Sequence, residues 1–210
     1  MIEEAHGVAL TERVLESVRR DPGRSMYDFV KVAWVAAGTP KPMSADTLAA
    51  LTFPSGRPLS PSLRTWLAYD TSLFERHGWF APDGTLTPRP LDRLASDTLG
   101  EFWGECFTPI TPQFPECFLL PGGSDSRRVL AVGEPDSTGE HPILALDVDD
   151  MPFAGLMYPG FDVYAANEAS LIQHEFDTYL DFFDNPTYAH RMNEHAKHRF
   201  AGEQCYEHFF

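Results

Sequence analysis

The feature that most constrains the fold is a series of short apolar runs in the second half of the chain. Each run has the length of a β-strand, and turn-forming residues such as Gly122-Gly123 and Pro159-Gly160 separate one run from the next. Spacing of this kind predicts an antiparallel meander. We place its strands at Phe114–Leu120, Arg127–Val132, Pro142–Asp147, Phe153–Met157 and Phe161–Tyr164.

Helical patterns precede and follow these runs. Apolar residues at helical spacing predict a helix over Val8–Arg20, and a more uniformly apolar segment predicts a second over Met26–Ala37. Ser60 followed by Pro61 is a helix start, because serine caps a helix and proline suits its first turn. Further helices are predicted over Leu91–Phe102, over Glu168–Phe183 with Asn167 as its cap, and from Thr187 onward.

These elements predict an α+β fold, a central antiparallel sheet packed by helices. An N-terminal helical pair in residues 1–58 extends a core over 59–186, with an insert over about 73–114. A C-terminal helical tail covers 187–210. A chain of 210 residues is within the usual size of one domain, so we expect one compact unit.

The charge balance favours a basic protein as the partner. Asp and Glu number 31 against 16 Lys and Arg, a formal net charge of −15. Nucleic acids and anionic membrane surfaces are bound mainly through Lys and Arg, so both are disfavoured as partners. The alternative is that the acidic residues serve only solubility.

The acidic residues are concentrated around the predicted strands. No Lys or Arg occurs between Glu134 and Phe183. A folded sheet that displays one sign of charge is a candidate docking surface. We therefore expect an exposed contact area with Tyr158 as an aromatic anchor beside its turn, and with the carboxylates of Asp136, Glu140, Asp147, Asp149, Asp150, Asp162 and Glu168.

The sequence also predicts a cytoplasmic protein. Its first residues are acidic with no apolar run behind them, unlike a signal peptide, and no stretch reaches the ~20 apolar residues of a membrane helix. Cys106, Cys117 and Cys205 are odd in number and lack CxxC spacing, which favours free thiols in a reducing compartment.

The sequence matches known catalytic and metal-binding motifs only in part. Ser126 lacks the glycine context of a nucleophile elbow, and no phosphate-binding glycine loop is present. Asp147 to Asp150 can attract a hard cation but does not match a calcium loop, so a solvated turn is favoured. His195 and His198 share a helix face and, with Cys205 and His208, offer an alternative zinc set. We expect no cofactor.

The order of elements resembles the SUKH superfamily, which includes bacterial immunity proteins against polymorphic toxins. The similar segments are Leu59–Leu67, Val129–Gly133, Pro142–Asp147 with the following Asp149-Asp150, and Tyr158–Ala166 before a helix. Together they cover about 59–183. The chain departs from the family pattern at Asp70-Thr71, in its long insert, and in its additional terminal helices.

The resemblance implies a non-enzymatic immunity protein that binds a cognate toxin and occludes its active site. Two alternatives stay open. One is an intracellular regulatory or scaffold protein of the same fold. The other is a metal-dependent hydrolase that uses Asp147, Asp149 and the tail histidines.

Overall fold

The computed structural model describes residues 6–26, 31–122, 126–149 and 151–207. In that part of the chain, five strands form one sheet: β1 (Cys117–Leu120), β2 (Ser126–Ala131), β3 (Ile143–Asp147), β4 (Phe153–Tyr158) and β5 (Cys205–Glu207). The helices are α1 (Gly7–Arg20), α2 (Ala45–Ala50), α3 (Pro61–Leu67), α4 (Ser72–Glu75), α5 (Leu91–Leu99), α6 (Glu101–Phe107), α7 (Phe161–Glu168) and α8 (Ala189–Arg199). Short 3₁₀ helices occupy Thr108–Gln113 and Asp181–Phe183.

The strands follow one another across the sheet in chain order, and every neighbouring pair is antiparallel. The predicted α+β class, with helices around an antiparallel meander, is therefore confirmed. Turn residues between short apolar runs favour this topology, because a short connection can join only antiparallel neighbours. No helix of the described residues has both the length and the apolar composition needed to cross a membrane.

One cluster of buried apolar side chains extends from Leu10 to Phe200. Trp66 of α3 is at its centre, with ring centroids 5.3 Å from Trp34 and 5.6 Å from Phe161. The N-terminal helix and the C-terminal helix pack into the same core as the sheet. Aromatic side chains of this size bury the apolar area that drives folding.

The predicted second helix over Met26–Ala37 is wrong where the structure describes it, from residue 31 onward; residues 27–30 lie outside the described residues. The Met26 amide donates to the Val32 carbonyl at 2.8 Å, and the Trp34 amide donates to the Arg24 carbonyl at 3.1 Å. The chain thus turns back on itself. This path buries the adjacent residues Trp34 and Val35 completely.

The predicted strand at Phe161–Tyr164 is also wrong, since these residues begin helix α7. Every residue from Phe161 to Ala166 is buried. A short segment buried on all sides has no polar face, so its apolar run cannot distinguish a strand from a helix. Packing against the rest of the protein, rather than a local sequence pattern, determines that this segment is helical.

The predicted helix over Glu168–Phe183 is not formed, and Asn167 lies inside α7 rather than capping a new helix. Ser170 has a φ of 59°, which ends the helical path. Further on, the Asp181 carboxylate accepts from the amides of Asp177 at 2.8 Å and Thr178 at 3.1 Å. Side-chain acceptors of this kind compete with the helical carbonyl for the same amides.

The predicted helix over Leu91–Phe102 is divided at Gly100, whose φ is 116°. Its continuation, α6, packs closely against α5. A Cβ on Gly104 would lie 2.6 Å from the Cβ of Ser96 and 2.9 Å from the Asp92 carbonyl oxygen. The two helices can approach this closely only because residue 104 has no side chain.

We expect Gly104→Ala to lower the free energy of unfolding by about 1–3 kcal/mol, because the added methyl group must push the two helices apart. Urea denaturation measures the effect. Glu105→Ala is the matched control, because Glu105 is exposed on the same helix. A Gly104→Ala protein as stable as the control would contradict the close packing.

Candidate functional site

Four of the predicted contact residues are buried, so the expected exposed surface around them is wrong. The exposed fractions are 6% for Asp136, 0% for Glu140, 0% for Asp162 and 1% for Tyr158. The Tyr158 hydroxyl donates to the Asn167 side chain at 3.0 Å, and its ring packs among other aromatic rings. Asp136 and Asp162 instead belong to an internal charged cluster, and Glu140 lies beside it.

Arg191 of α8 is the centre of this cluster and is itself only 3% exposed. Its guanidinium donates twice to Asp162, at 2.8 and 3.0 Å, and once to Asp136, at 2.5 Å. Asp162 also accepts from the Gly7 amide at 2.6 Å. One arginine therefore joins the first turn of α1, the turn before β3, and helices α7 and α8.

Asp136 organises the turn between β2 and β3. Its Oδ1 accepts from the amides of Thr138 at 2.8 Å and Glu140 at 3.0 Å. Burial would raise the pKa of Asp136, but the His195 ring, whose Nε2 lies 3.6 Å away, and the hydrogen bond and charge of Arg191 hold that pKa well below its ordinary value. Asp136 is therefore ionised inside the protein, where Arg191 compensates its charge.

Glu140 belongs to the connection between β2 and β3 and contacts the first turn of α3. It accepts from the Ser62 amide at 2.9 Å and makes a close hydrogen bond with the Ser62 hydroxyl. Complete burial, and then the nearby Asp162 charge, raise the pKa of Glu140 to about 8. At neutral pH its carboxyl group is thus mainly protonated, and it does not contribute to a negative surface.

The remaining predicted residues have different positions. Asp147 is half-buried at the end of β3, Asp149 is exposed just beyond it, and Asp150 lies outside the described residues. Glu168 is half-buried at the end of α7. Of the predicted set, Asp147 and Asp149 are the pair that lines one cavity.

The sheet register shows what surrounds Asp147. Ser126, Asp147, Phe153 and Glu207 are cross-strand partners on β2 to β5, so their side chains project from one face of the sheet. On the same face, Gly155 has no side chain, and a Cβ there would lie 2.3 Å from the Phe153 ring and 3.1 Å from Leu180. The missing side chain thus gives Phe153 and the 176–180 segment room to lie over the strands.

Tyr179 fixes that segment to the sheet. Its hydroxyl donates to Asp147 at 2.6 Å, its ring centroid is 5.6 Å from that of Phe153, and the Arg128 guanidinium lies 5.4 Å from its ring. Burial, and then the hydrogen bond to Asp147, raise the pKa of Tyr179. The phenol therefore stays neutral and keeps its proton for this bond.

Two adjoining cavities of about 300 and 510 Å³ lie beside Tyr179 and share Phe153, Tyr179 and Glu207 as walls. The first adds Asp147, Asp149, Met151 and Pro152, and the second adds Phe176, Asp177, Thr178 and Leu180. We call the two cavities together the acidic groove. Four carboxylates and three aromatic rings line it, and none of its lining residues is a lysine or an arginine.

Only part of this groove was visible in the sequence. Asp147 and Asp149 were predicted from their charge, but Phe153, Tyr179 and Glu207 were not. The sequence pattern does not predict strand β5, and it predicts a helix for the segment that contains Tyr179. The pairing of β5 with β4 brings these residues together, and no local pattern in the sequence encodes that pairing.

In the described residues, no group of three or more His, Cys, Asp or Glu side chains is arranged to hold a metal ion. His195 is buried and donates from Nε2 to the Pro159 carbonyl at 2.9 Å, whereas His198 is exposed. Burial, and then Glu207, raise the pKa of Cys205 to about 11, so this thiol is protonated at neutral pH. His208 lies outside the described residues.

We expect Glu140→Gln to change how stability depends on pH. In the unfolded chain Glu140 releases its proton near its ordinary pKa of 4.5, whereas the folded protein holds that proton up to about pH 8. Its stabilising contribution is thus complete below the unfolded pKa and is lost as pH rises toward 8. The glutamine side chain of the variant does not titrate, and it can still form hydrogen bonds with the Ser62 amide and hydroxyl.

The free energy of unfolding of Glu140→Gln, relative to the wild type, should therefore increase by on the order of 2–4 kcal/mol between about pH 5 and pH 8. Urea denaturation across that range measures the difference. A difference that stays constant with pH would show that Glu140 ionises normally in the folded protein.

We expect Arg191→Met to cost about 3–5 kcal/mol of stability, because it leaves the buried carboxylates of Asp136 and Asp162 without their positive partner. The control is Arg19→Met, since the pair of Arg19 with Glu12 is 48% exposed on both sides and contributes at most about 1 kcal/mol. Thermal and urea denaturation compare the two. Equal losses in both variants would contradict the central role of Arg191.

No protein-family model and no curated protein matches this chain. A crystal structure of an uncharacterized protein from Salmonella enterica subsp. enterica serovar typhimurium str. 14028s is similar, with a TM-score of 0.61. The match covers 93% of this chain and 94% of that chain at 16% sequence identity. At this level of identity the similarity concerns the fold, which the two chains share over nearly their whole length.

Proposed function

We propose that this protein is an immunity protein, which binds a cognate bacterial toxin in the cytoplasm and occludes the toxin's active site. Its partner surface is the acidic groove, and its partner presents Lys and Arg side chains. Nucleic acid and membrane are not its ligands. The acidic composition and the resemblance of the sequence to SUKH proteins both support this proposal.

The observation that supports the proposal most directly is the composition of the groove. The carboxylates of Asp147, Asp149, Asp177 and Glu207 surround the rings of Phe153, Phe176 and Tyr179. Aromatic rings favour cations near their faces, and carboxylates pair with ammonium and guanidinium groups. A basic side chain with an apolar stem matches both kinds of wall.

The position of the groove on the fold also favours binding. The groove lies where β3 ends and β4 begins, while the buried cluster lies where β3 begins and β4 ends. The charged cluster stabilises one end of these strands, and the acidic groove lies at the other end. Rigid strands and a bound segment preorganise the groove, which lowers the entropic cost of association.

Charge also affects how quickly a partner is bound. A net charge of −15 attracts a basic protein from a distance and steers the encounter. Rapid capture suits a protein that must neutralise a toxin before the toxin acts. The contribution is screened by salt, so the association rate should fall as ionic strength rises.

The partner is sought by co-purification with the product of the adjacent upstream gene, followed by measurement of association rates with that product. We expect the double variant Asp149→Lys and Glu207→Lys to lower the association rate by about tenfold or more and to flatten its salt dependence. The double variant Glu16→Lys and Asp46→Lys makes the same charge change on exposed positions of α1 and α2. Equal rates for the two double variants would contradict docking at the groove.

A further inference from the structure

Helix α6 carries an aromatic side chain that the fold leaves uncovered. Phe102 is 64% exposed, more than any other large apolar side chain of the described residues. Its ring centroid lies 5.0 Å from that of the half-buried Trp103, in an edge-to-face arrangement. Single exposed apolar residues are common, so the neighbours of this pair determine whether it marks a contact surface.

Two acidic residues flank the aromatic pair on the same helix. Glu101 and Glu105 are exposed and lie one turn apart, where like charges repel each other. No residue that the structure describes pairs with either carboxylate. Glu105 lies in the last turn of α6, where the helix dipole disfavours negative charge, and α6 contains no Lys or Arg. We call Glu101, Phe102, Trp103 and Glu105 the α6 patch.

The neighbouring helix α5 does not supply the missing positive charge. A shallow cavity of about 220 Å³ lies between the two helices and is lined by both glutamates and by Arg93. The Nε of Arg93 lies 3.1 Å from the Asp97 carboxylate, which Arg89 also binds at 3.2 Å. Both arginines are therefore directed toward Asp97 rather than toward α6.

Helix α1 offers a contrast within the same protein. Glu12 and Glu16 are also exposed and one turn apart, but Arg19 on that helix donates to Glu12 at 3.5 Å. The exposed apolar residue of α1 is Val8, which is smaller than phenylalanine and 44% exposed. A pair of glutamates without a basic residue on the same helix, beside an uncovered aromatic ring, thus distinguishes α6 from α1.

A second copy of this chain fits the α6 patch poorly. A two-fold dimer sets the same patch of each copy face to face, so the glutamates of both copies would come together. Like charges across an interface are destabilising. A lysine or arginine of a different protein would instead pair with a glutamate and lay its apolar stem or its charge over the aromatic rings. The charge of the patch therefore selects a basic partner.

The α6 patch and the acidic groove lie at the same end of the sheet. The Thr98 carbonyl, near the end of α5, accepts from the Arg127 side chain of β2 at 2.8 Å. Arg127 follows Ser126, whose cross-strand partner on β3 is Asp147 of the groove. Neighbouring strands are about 5 Å apart, and a typical interface covers about 800 Å² of each partner. One bound protein can therefore contact both surfaces.

We propose that Phe102 is the apolar anchor of a second contact with a basic protein, whose Lys or Arg side chains pair with Glu101 and Glu105. This inference rests on the proposed function, to which it adds a contact surface. The aromatic ring supplies affinity by entering an apolar part of the partner, and the two glutamates select positive charge around it.

The probe is a capped helical peptide with one stripe of leucines flanked by lysines. One comparison peptide has the same composition but disperses the leucines around the helix, and a second replaces every lysine by glutamate. Trp103 reports binding at the patch, because the other tryptophans, Trp34, Trp66 and Trp79, are at most 1% exposed. Protection of Trp103 fluorescence from acrylamide therefore measures affinity for the patch separately from binding in the acidic groove.

We expect the striped peptide to protect Trp103 of the full-length protein with an affinity at least about tenfold higher than that of the dispersed isomer. Phe102→Ala should weaken the striped peptide by about tenfold, because it removes the anchor. Val8→Ala is the matched control and should leave the affinity unchanged. Equal effects of the two substitutions, or equal affinities of the two lysine peptides, would overturn the role of Phe102.

The charged part of the contact has its own pair of variants. We expect Glu101→Gln with Glu105→Gln to weaken the striped peptide by about fivefold or more and to reduce the salt dependence of its binding. Glu12→Gln with Glu16→Gln removes the same charge from α1 and should have no such effect. Equal affinities for the two double variants would contradict pairing at α6.

The glutamate peptide separates this inference from the proposed function. If the α6 variants all bind like the wild type while total binding, measured by calorimetry, still requires lysine, the α6 contact is wrong and the preference for a basic partner stands. If lysine and glutamate peptides bind equally, the proposed basic partner is contradicted as well. A dimer in sedimentation that Phe102→Ala abolishes would show that a second copy covers the ring, which also overturns the inference.

Discussion

The structure depends on the buried guanidinium of Arg191 and the two carboxylates that it holds, Asp136 and Asp162. Asp162 also accepts a hydrogen bond from the Gly7 amide of α1, so α1 and α8 meet at one charged group. Removal of charges from water costs several kcal/mol per ion, and this arrangement recovers that cost through close pairing and additional backbone donors. Since the geometry must satisfy every member, the cluster fixes how α1, α7, α8 and the β2–β3 turn fit together.

In and beside this cluster, several of the protein's acidic residues lie inside the fold rather than on its surface. Asp136 and Asp162 are paired with Arg191 inside the fold, and Glu140 stays mainly protonated at neutral pH because burial raises its pKa. These acids therefore contribute to internal structure rather than to an external field. At the other end of β3 and β4, Asp147, Asp149 and Glu207 border an aromatic groove.

The groove owes its shape to small residues as much as to charged ones. Gly155 leaves the room over the sheet that Phe153 and Leu180 fill, and Tyr179 anchors the same segment to Asp147. Together these residues form a wall of the acidic groove beside β5.

The sequence by itself determined the α+β class, the meander and the helices that begin near Gly7, Pro61, Leu91 and Ala189, because turn residues and helical spacing act over a few neighbours. It also indicated Asp147 and Asp149 as surface acids. Only the tertiary structure decided the helical state of Phe161–Glu168, the burial of Asp136, Glu140 and Asp162, and the pairing of β5 with β4. The sequence shows that a residue is charged but does not show which residue it contacts in the fold. Arg191, for example, is 55 positions from Asp136 and 29 from Asp162 in the sequence. Contacts over such separations are set by how the whole chain packs, which no local pattern records.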